Sequence, residues 1–197
     1  MGLFKGPMLG LVGIIFSFCS VVNAGFIDTN LFYFSKGRTV TSEDETENQT
    51  LIDLGFGFDI DKKGSFQIGW SVSSFSSTEA TAITGTATTT TLSASEMGPK
   101  FGYYIDKDQW WGVFLTYNLI STTTYKRGTG DEAKWSGTTI KAEVGFAPQI
   151  TENIYGGLRL NYYIATFASQ IVGTDTYSVI SNTRSLIYPA IYFSYRM

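Results

Sequence analysis

The chain has 197 residues, of which 43% are hydrophobic, 16% aromatic and only 16% charged; this is the length of one domain, with too little charge for long solvated helices or for disorder. Lys and Arg number 14 against 17 Asp and Glu, a net charge of −3 with the basic residues scattered, which argues against nucleic acid as a partner. Histidine is absent and there is 1 cysteine, so Ser-His-Asp hydrolysis, His-dependent acyl transfer, the commonest zinc sites and an internal disulfide are all excluded. In chain order, residues 1–24 come first. Lys5 precedes an apolar run from Met8 to Val22 that closes on Val22-Asn23-Ala24, the build of a secretory signal peptide cleaved after Ala24. The run falls short of the roughly 20 apolar residues of a membrane-spanning helix. Phe18 before Cys19 occupies a position where a lipoprotein signal needs a small residue. Residues 25–197 are then the mature domain.

A weak alternating segment, Ile27 to Lys36, opens that domain, and from Thr50 onward period-two alternation dominates. Ile52, Leu54, Phe56, Phe58 and Ile60 share one face of the first clear segment. After the turn Asp61-Lys62-Lys63-Gly64, Phe66, Ile68, Trp70 and Val72 repeat the pattern. Pairing across this turn sets Phe58 against Ile68 and Phe56 against Trp70, a stabilising arrangement for a hairpin. Met97 to Ile105 and Trp111 to Leu119 flank the turn Asp106-Lys107-Asp108-Gln109. Ile140 to Ile150 and Ile154 to Ile164 flank Thr151-Glu152-Asn153, and Ile187 to Met197 ends the chain. This is an eight-strand antiparallel meander. Its short turns alternate with long connections, at about 37–49, 76–90, 121–137 and 167–185, expected to be surface loops.

The two faces of these segments differ sharply. Asp53, Asp59, Glu96, Lys100, Lys141, Glu143, Arg159 and Arg196 all lie on one face, together with many glycines, among them Gly55, Gly57, Gly102, Gly112 and Gly145. The opposite face of the clear segments is apolar and uncharged. Small residues suit a crowded concave interior filled by its own side chains, which turns the apolar face outward. In water such a band would aggregate; in a bilayer a closed barrel satisfies its backbone completely. Trp111 and Tyr103 beside a turn, with Tyr117 and Tyr162 at the other end, fit interfacial aromatic girdles. The expected fold is all-β, an eight-stranded antiparallel up-and-down transmembrane β-barrel.

On this pattern, and on the terminal strand in which Ile191, Phe193 and Tyr195 alternate up to Met197, the mature chain resembles the small bacterial outer-membrane barrels of the OmpA transmembrane-domain and OmpX type. Met197 stands where that family usually ends on an aromatic. The resemblance implies export to the bacterial outer membrane, recognition of the terminal strand by the barrel-assembly machinery, and a monomer embedded in outer-membrane lipid. It further implies a structural or adhesive role, with a surface ligand or host contact made through the loops. No peptidoglycan-binding domain is expected.

The inward charges, Asp53, Glu96, Lys100, Lys141, Glu143, Arg159 and Arg196, are expected to form an interior network closing the lumen, beside Phe114, Tyr155 and Tyr163. Glu143 and Arg159 lie diagonally across one hairpin, within reach of long side chains. Asp28 and Arg196 are candidates to meet where the first and last strands close the barrel. Asp53 and Asp59, six residues apart on one strand, sit about 20 Å from each other, too far for joint acid/base catalysis. The acidic run Glu43-Asp44-Glu45-Thr46-Glu47 lacks the ligand spacing and Gly of a calcium loop and reads as a solvated tip. No catalytic, cofactor or metal site is expected. Two alternatives stand beside the closed scaffold: a narrow OmpW-like pore for small solutes, and a secreted lipocalin-like binding barrel that would keep the apolar face inside.

Overall fold

The computed structural model describes residues 25–40, 43–61, 63–83, 86–173 and 176–197; residues 1–24, expected to be a signal peptide, with Cys19 and Ala24, lie outside them. The strands are β1 (Gly25–Val40), β2 (Glu43–Asp59), β3 (Phe66–Ile83), β4 (Thr86–Tyr104), β5 (Trp111–Arg127), β6 (Ala133–Phe146), β7 (Gln149–Thr151), β8 (Ile154–Val172) and β9 (Thr176–Arg196). All pair antiparallel. β1 to β6 pair in sequence order, β1 also pairs with β9, β9 with β8, and a β6–β8 pairing closes the circuit, with β7 beside β8. The result is a sheet closed into a ring of eight strands. β7 is a short continuation of β6, separated from it by Ala147 and Pro148, because proline has no N–H to give the ladder.

The local chemistry of the short turns accounts for their tightness. Between β2 and β3, Asp61 Oδ1 accepts the Phe66 N–H at 2.8 Å and Gly64 takes φ +67°, a conformation glycine adopts without steric penalty. Between β4 and β5, Asp106 accepts the N–H groups of Trp110 and Trp111 at 3.0 and 2.7 Å. Phe58 lies opposite Ile68 and Phe56 opposite Trp70, as the alternation predicts.

The other two strand prolines also fall where the ladder is interrupted. Pro99 sits inside the register shift between Met97 and Lys100, opposite a bulge that leaves both Leu119 and Ile120 of β5 exposed. Pro189 lies just beyond Ile191, where the β1–β9 ladder ends. At neither site is the missing donor demanded by a regular neighbour.

The four long connections are a correction to the sequence reading. Strands run almost to the tips: β3 and β4 are separated only by residues 84–85, and β8 and β9 only by 173–175. The acidic run lies along the β2 backbone rather than in a loop, and Thr88 to Thr91 belong to β4. The alternation persists through these stretches with its polarity exchanged, and β-branched threonine favours strand.

Toward the short turns, which we term the lower half, outward residues are apolar and exposed, such as Leu158 at 65% and Phe58 at 44%, while inward residues are polar and buried, such as Asp53 and Lys100. The girdle candidates Trp111, Tyr103, Tyr117 and Tyr162 all face outward; Trp111 packs on Phe146 and Tyr103 on Phe66, with ring centroids 4.8 and 4.7 Å apart. In the upper half the outward face is rich in hydroxyls, Ser74, Ser76, Thr91, Ser93, Thr122 and Ser136 being exposed, with Tyr177 and Val179 standing out near the top. Its inward face carries Leu51, Ala94, Trp135, Ala165, Phe167 and Tyr188, all buried.

Candidate functional site

The lower interior holds a continuous chain of alternating charges drawn from β1, β2, β4, β6 and β8. Lys100 Nζ lies 2.9 and 3.0 Å from the two carboxylate oxygens of Asp28. Asp28 is 3.6 Å from Arg159 Nη2, and Arg159 Nη1 donates to Glu143 Oε2 at 2.6 Å. Lys141 Nζ is 3.2 Å from the other oxygen of Glu143 and also contacts Asp53. Asn30 reinforces the centre by donating to Asp53 and Glu143 at 2.9 and 3.3 Å, and the Ser71 hydroxyl donates to Asp53. Three carboxylates thus meet three cations, all of them buried. Ionised side chains withdrawn from water need this degree of pairing to persist.

Small residues make the room. A Cβ on Gly55 would strike the Asp28 carboxylate, one on Gly145 the stem of Arg159, and those on Gly102 and Gly112 the Phe114 ring. Aromatic rings flank the guanidinium cations. The Arg159 guanidinium lies between Phe114 and Tyr192, 3.7 and 3.4 Å from their centroids, in the geometry of a cation–π sandwich. Below it, Arg196 lies between Tyr104 and Tyr155 at 4.2 and 3.8 Å and donates to Gln109, whose amide in turn donates to the Lys63 carbonyl at 2.9 Å.

The structure brings together Asp53, Lys100, Lys141, Glu143 and Arg159 among the residues expected in the network, and Glu143 meets Arg159 on the expected diagonal. Two placements differ. Arg196 does not meet Asp28, because the register sets Asp28 opposite Ser194 and Arg196 opposite Phe26; Asp28 turns to Lys100 instead. Glu96 has no cation within ion-pair distance and is held by neutral donors: Asn118 at 2.9 Å, Ser121 at 3.0 Å, Thr139 at 3.1 Å and the Tyr163 hydroxyl. It forms the upper boundary of the polar zone. Ile191, Phe193, Tyr195 and Met197 of the terminal strand face outward, with Tyr195 opposite both Ile27 and Ile154.

Asn30, Tyr104 and Tyr192 were not anticipated by the sequence. Their inward positions follow from strand parity, but contacts across a ring depend on stagger between distant strands, which local alternation does not encode. Among the described residues no group of three or more carboxylate or cysteine side chains is arranged to hold a metal ion. The chain matches no known protein-family model and no curated protein. Chemically, the lower interior is a neutralised charge network: its carboxylates are committed to cations or to amide and hydroxyl donors, and its guanidinium groups are flanked by rings.

Proposed function

We propose that the chain is a small transmembrane β-barrel of the bacterial outer membrane, a non-enzymatic scaffold whose lower half is embedded in lipid and whose upper half projects outward for surface contacts. The observation that carries this reading is the inversion of polarity along the ring. An outward apolar belt over inward charges is unsuited to water and suited to a bilayer, where a closed ring leaves no strand edge unpaired. Hydroxyl-rich outward faces above that belt suit water. The extended hairpins, rather than flexible loops, would then be the contact surface, and a monomer in outer-membrane lipid, inserted by the barrel-assembly machinery, is the expected state.

Fractionation with detergent extraction tests the location: the mature protein should pellet with envelope membranes and dissolve only with detergent. Recovery in the soluble fraction would favour the lipocalin-like alternative. The charge network supports a closed scaffold over the narrow OmpW-like pore. In planar bilayers the purified protein should show no steady single-channel current, and sustained currents would replace the scaffold reading with the transport one.

A further inference from the structure

Above Glu96 the interior opens into a cavity of about 710 Å³, within the size range of small-molecule sites. Its floor includes Leu51, Tyr188, Ser73 and the Glu96 carboxylate, its walls include Phe75, Leu92 and Phe167, and among the described residues none of its lining comes from β1 or β6. β6 is paired on both sides, whereas β1 is so only in part. The β1–β9 ladder covers only Phe26–Leu31 against Ile191–Arg196. Beyond it β1 pairs only with β2, and β9 only with β8. Above Leu31 the β1–β9 seam, which we term the slot, carries no ladder pairing, and the Phe32 and Tyr188 rings pack across its lower end with centroids 5.1 Å apart. Tyr33 and Ile187, exposed at 70% and 66%, flank the slot on the outer surface, so it begins within the apolar belt. The cavity rim carries both signs of charge on different arcs: Glu47 and Glu79 opposite each other on β2 and β3, and Arg127 on β5 with Arg184 on β9.

We propose that this upper cavity binds a single-chain amphiphile with a zwitterionic head, admitted from the surrounding lipid through the β1–β9 slot. The aliphatic chain lies against Leu51, Phe75, Leu92 and Phe167. The head rests at the rim, its cationic group toward Glu47 and Glu79 and its anionic group toward Arg127 and Arg184. The floor stops the chain at Glu96, above the charge network, so the site captures its ligand and does not pass it across the membrane. The route of entry rests on the membrane reading above; the cavity itself does not.

Trp135 reports on occupancy because it is buried inside the ring against Phe167, their ring centroids 5.5 Å apart, whereas Trp70, Trp110 and Trp111 are exposed on the outside. Those three are replaced by Phe, the protein is placed in bilayer nanodiscs, and a chain-brominated lysophosphatidylcholine is titrated in. The expected result is saturable quenching of Trp135. Leu92→Arg should raise the half-quenching concentration at least tenfold, and the milder Ala94→Leu, which only fills space, at least threefold, both with unchanged heat-modifiable migration on gels. A brominated fatty acid and a brominated alkyltrimethylammonium should each bind at least threefold more weakly. Quenching that never saturates, or midpoints unmoved by both substitutions, overturns the site; equal midpoints for the three heads overturn the assignment of the rim. Failure of the protein to enter nanodiscs counts against the membrane reading instead, and the same titration in buffer then decides the cavity by the same criteria.

Discussion

The lower and upper halves of the ring are built from the same strands, in one continuous antiparallel register, yet they solve opposite solvation problems. Below, Phe58, Leu115 and Leu158 point out while Asp53, Lys141 and Arg159 point in; above, Ser76, Ser93 and Thr122 point out while Leu51, Trp135 and Phe167 point in. On β4 the switch occurs between Ala94 and Glu96, adjacent inward positions on one strand. Backbone hydrogen bonding is indifferent to this exchange, since the ladder is satisfied either way. The lesson is that strand geometry and side-chain polarity are set independently, and on the proposed membrane reading the level at which polarity exchanges is the boundary between lipid and water.

If the lower interior depends on complete charge pairing, breaking one pair there should have the largest effect in the molecule. Arg159→Gln leaves Glu143 and Asp28 facing one cation fewer in a buried site and empties the space between Phe114 and Tyr192. The expected loss is about 3–5 kcal/mol, measured by urea unfolding in lipid vesicles. Glu143→Gln combined with Arg159→Gln should recover part of that loss, because the uncompensated carboxylate is then gone. Strictly additive single losses would mean that the two side chains do not act as a pair.

The same substitution placed on the outer face of each half tests the boundary directly. Leu158→Arg puts a charge in the apolar belt and should cost about 2–4 kcal/mol near mid-membrane. Thr89→Arg, on the exposed upper face of β4, should stay within about 0.5 kcal/mol of the unmodified protein. Equal tolerance of both in vesicle unfolding would erase the distinction between the halves. Leu51→Ala tests the upper interior. Leu51 is buried with Tyr188 and Ala190, and the loss should be about 2 kcal/mol, at the low end for such truncations, because the new space merges with an existing cavity.

The alternation of the lower half made most of the fold legible in advance. Pairs such as Phe56 with Trp70 follow from one turn and one register, and the inward position of Lys141 or Arg159 follows from parity. The upper half was misread because its outward residues are Ser and Thr. Without apolar spacing at the familiar phase, the stretch Ser76 to Thr90 looked like loop, although Phe75 just before it carried the signal from the other face. The partners of Asp28 were out of reach for a different reason: Lys100 and Arg159 lie on strands far away in sequence that local alternation does not bring together. The prolines were legible as exceptions, but their accommodation depends on a bulge in β5 and on where β1 parts from β9.

The smallest expected effect lies at the foot of the lower half, below the apolar belt. Burial alone would raise the Asp106 carboxyl, but the N–H groups of Trp111 and Trp110 donate to it and hold it below the ordinary range. A carboxyl whose folded value is depressed stabilises the fold above its unfolded value, near 4, and that contribution disappears as the pH falls through the depressed value. Because Asp106 is largely exposed, solvent screening limits the effect to about 0.5 kcal/mol. Asp106→Asn should therefore destabilise slightly at pH 7 and converge with the unmodified protein in strong acid, once the pH lies below the depressed value. Unfolding curves at the two pH values measure this. A difference between the two proteins that grows on acidification would mean that the turn is held by something other than the ionised carboxylate, leaving the lower half without this anchor beneath its belt.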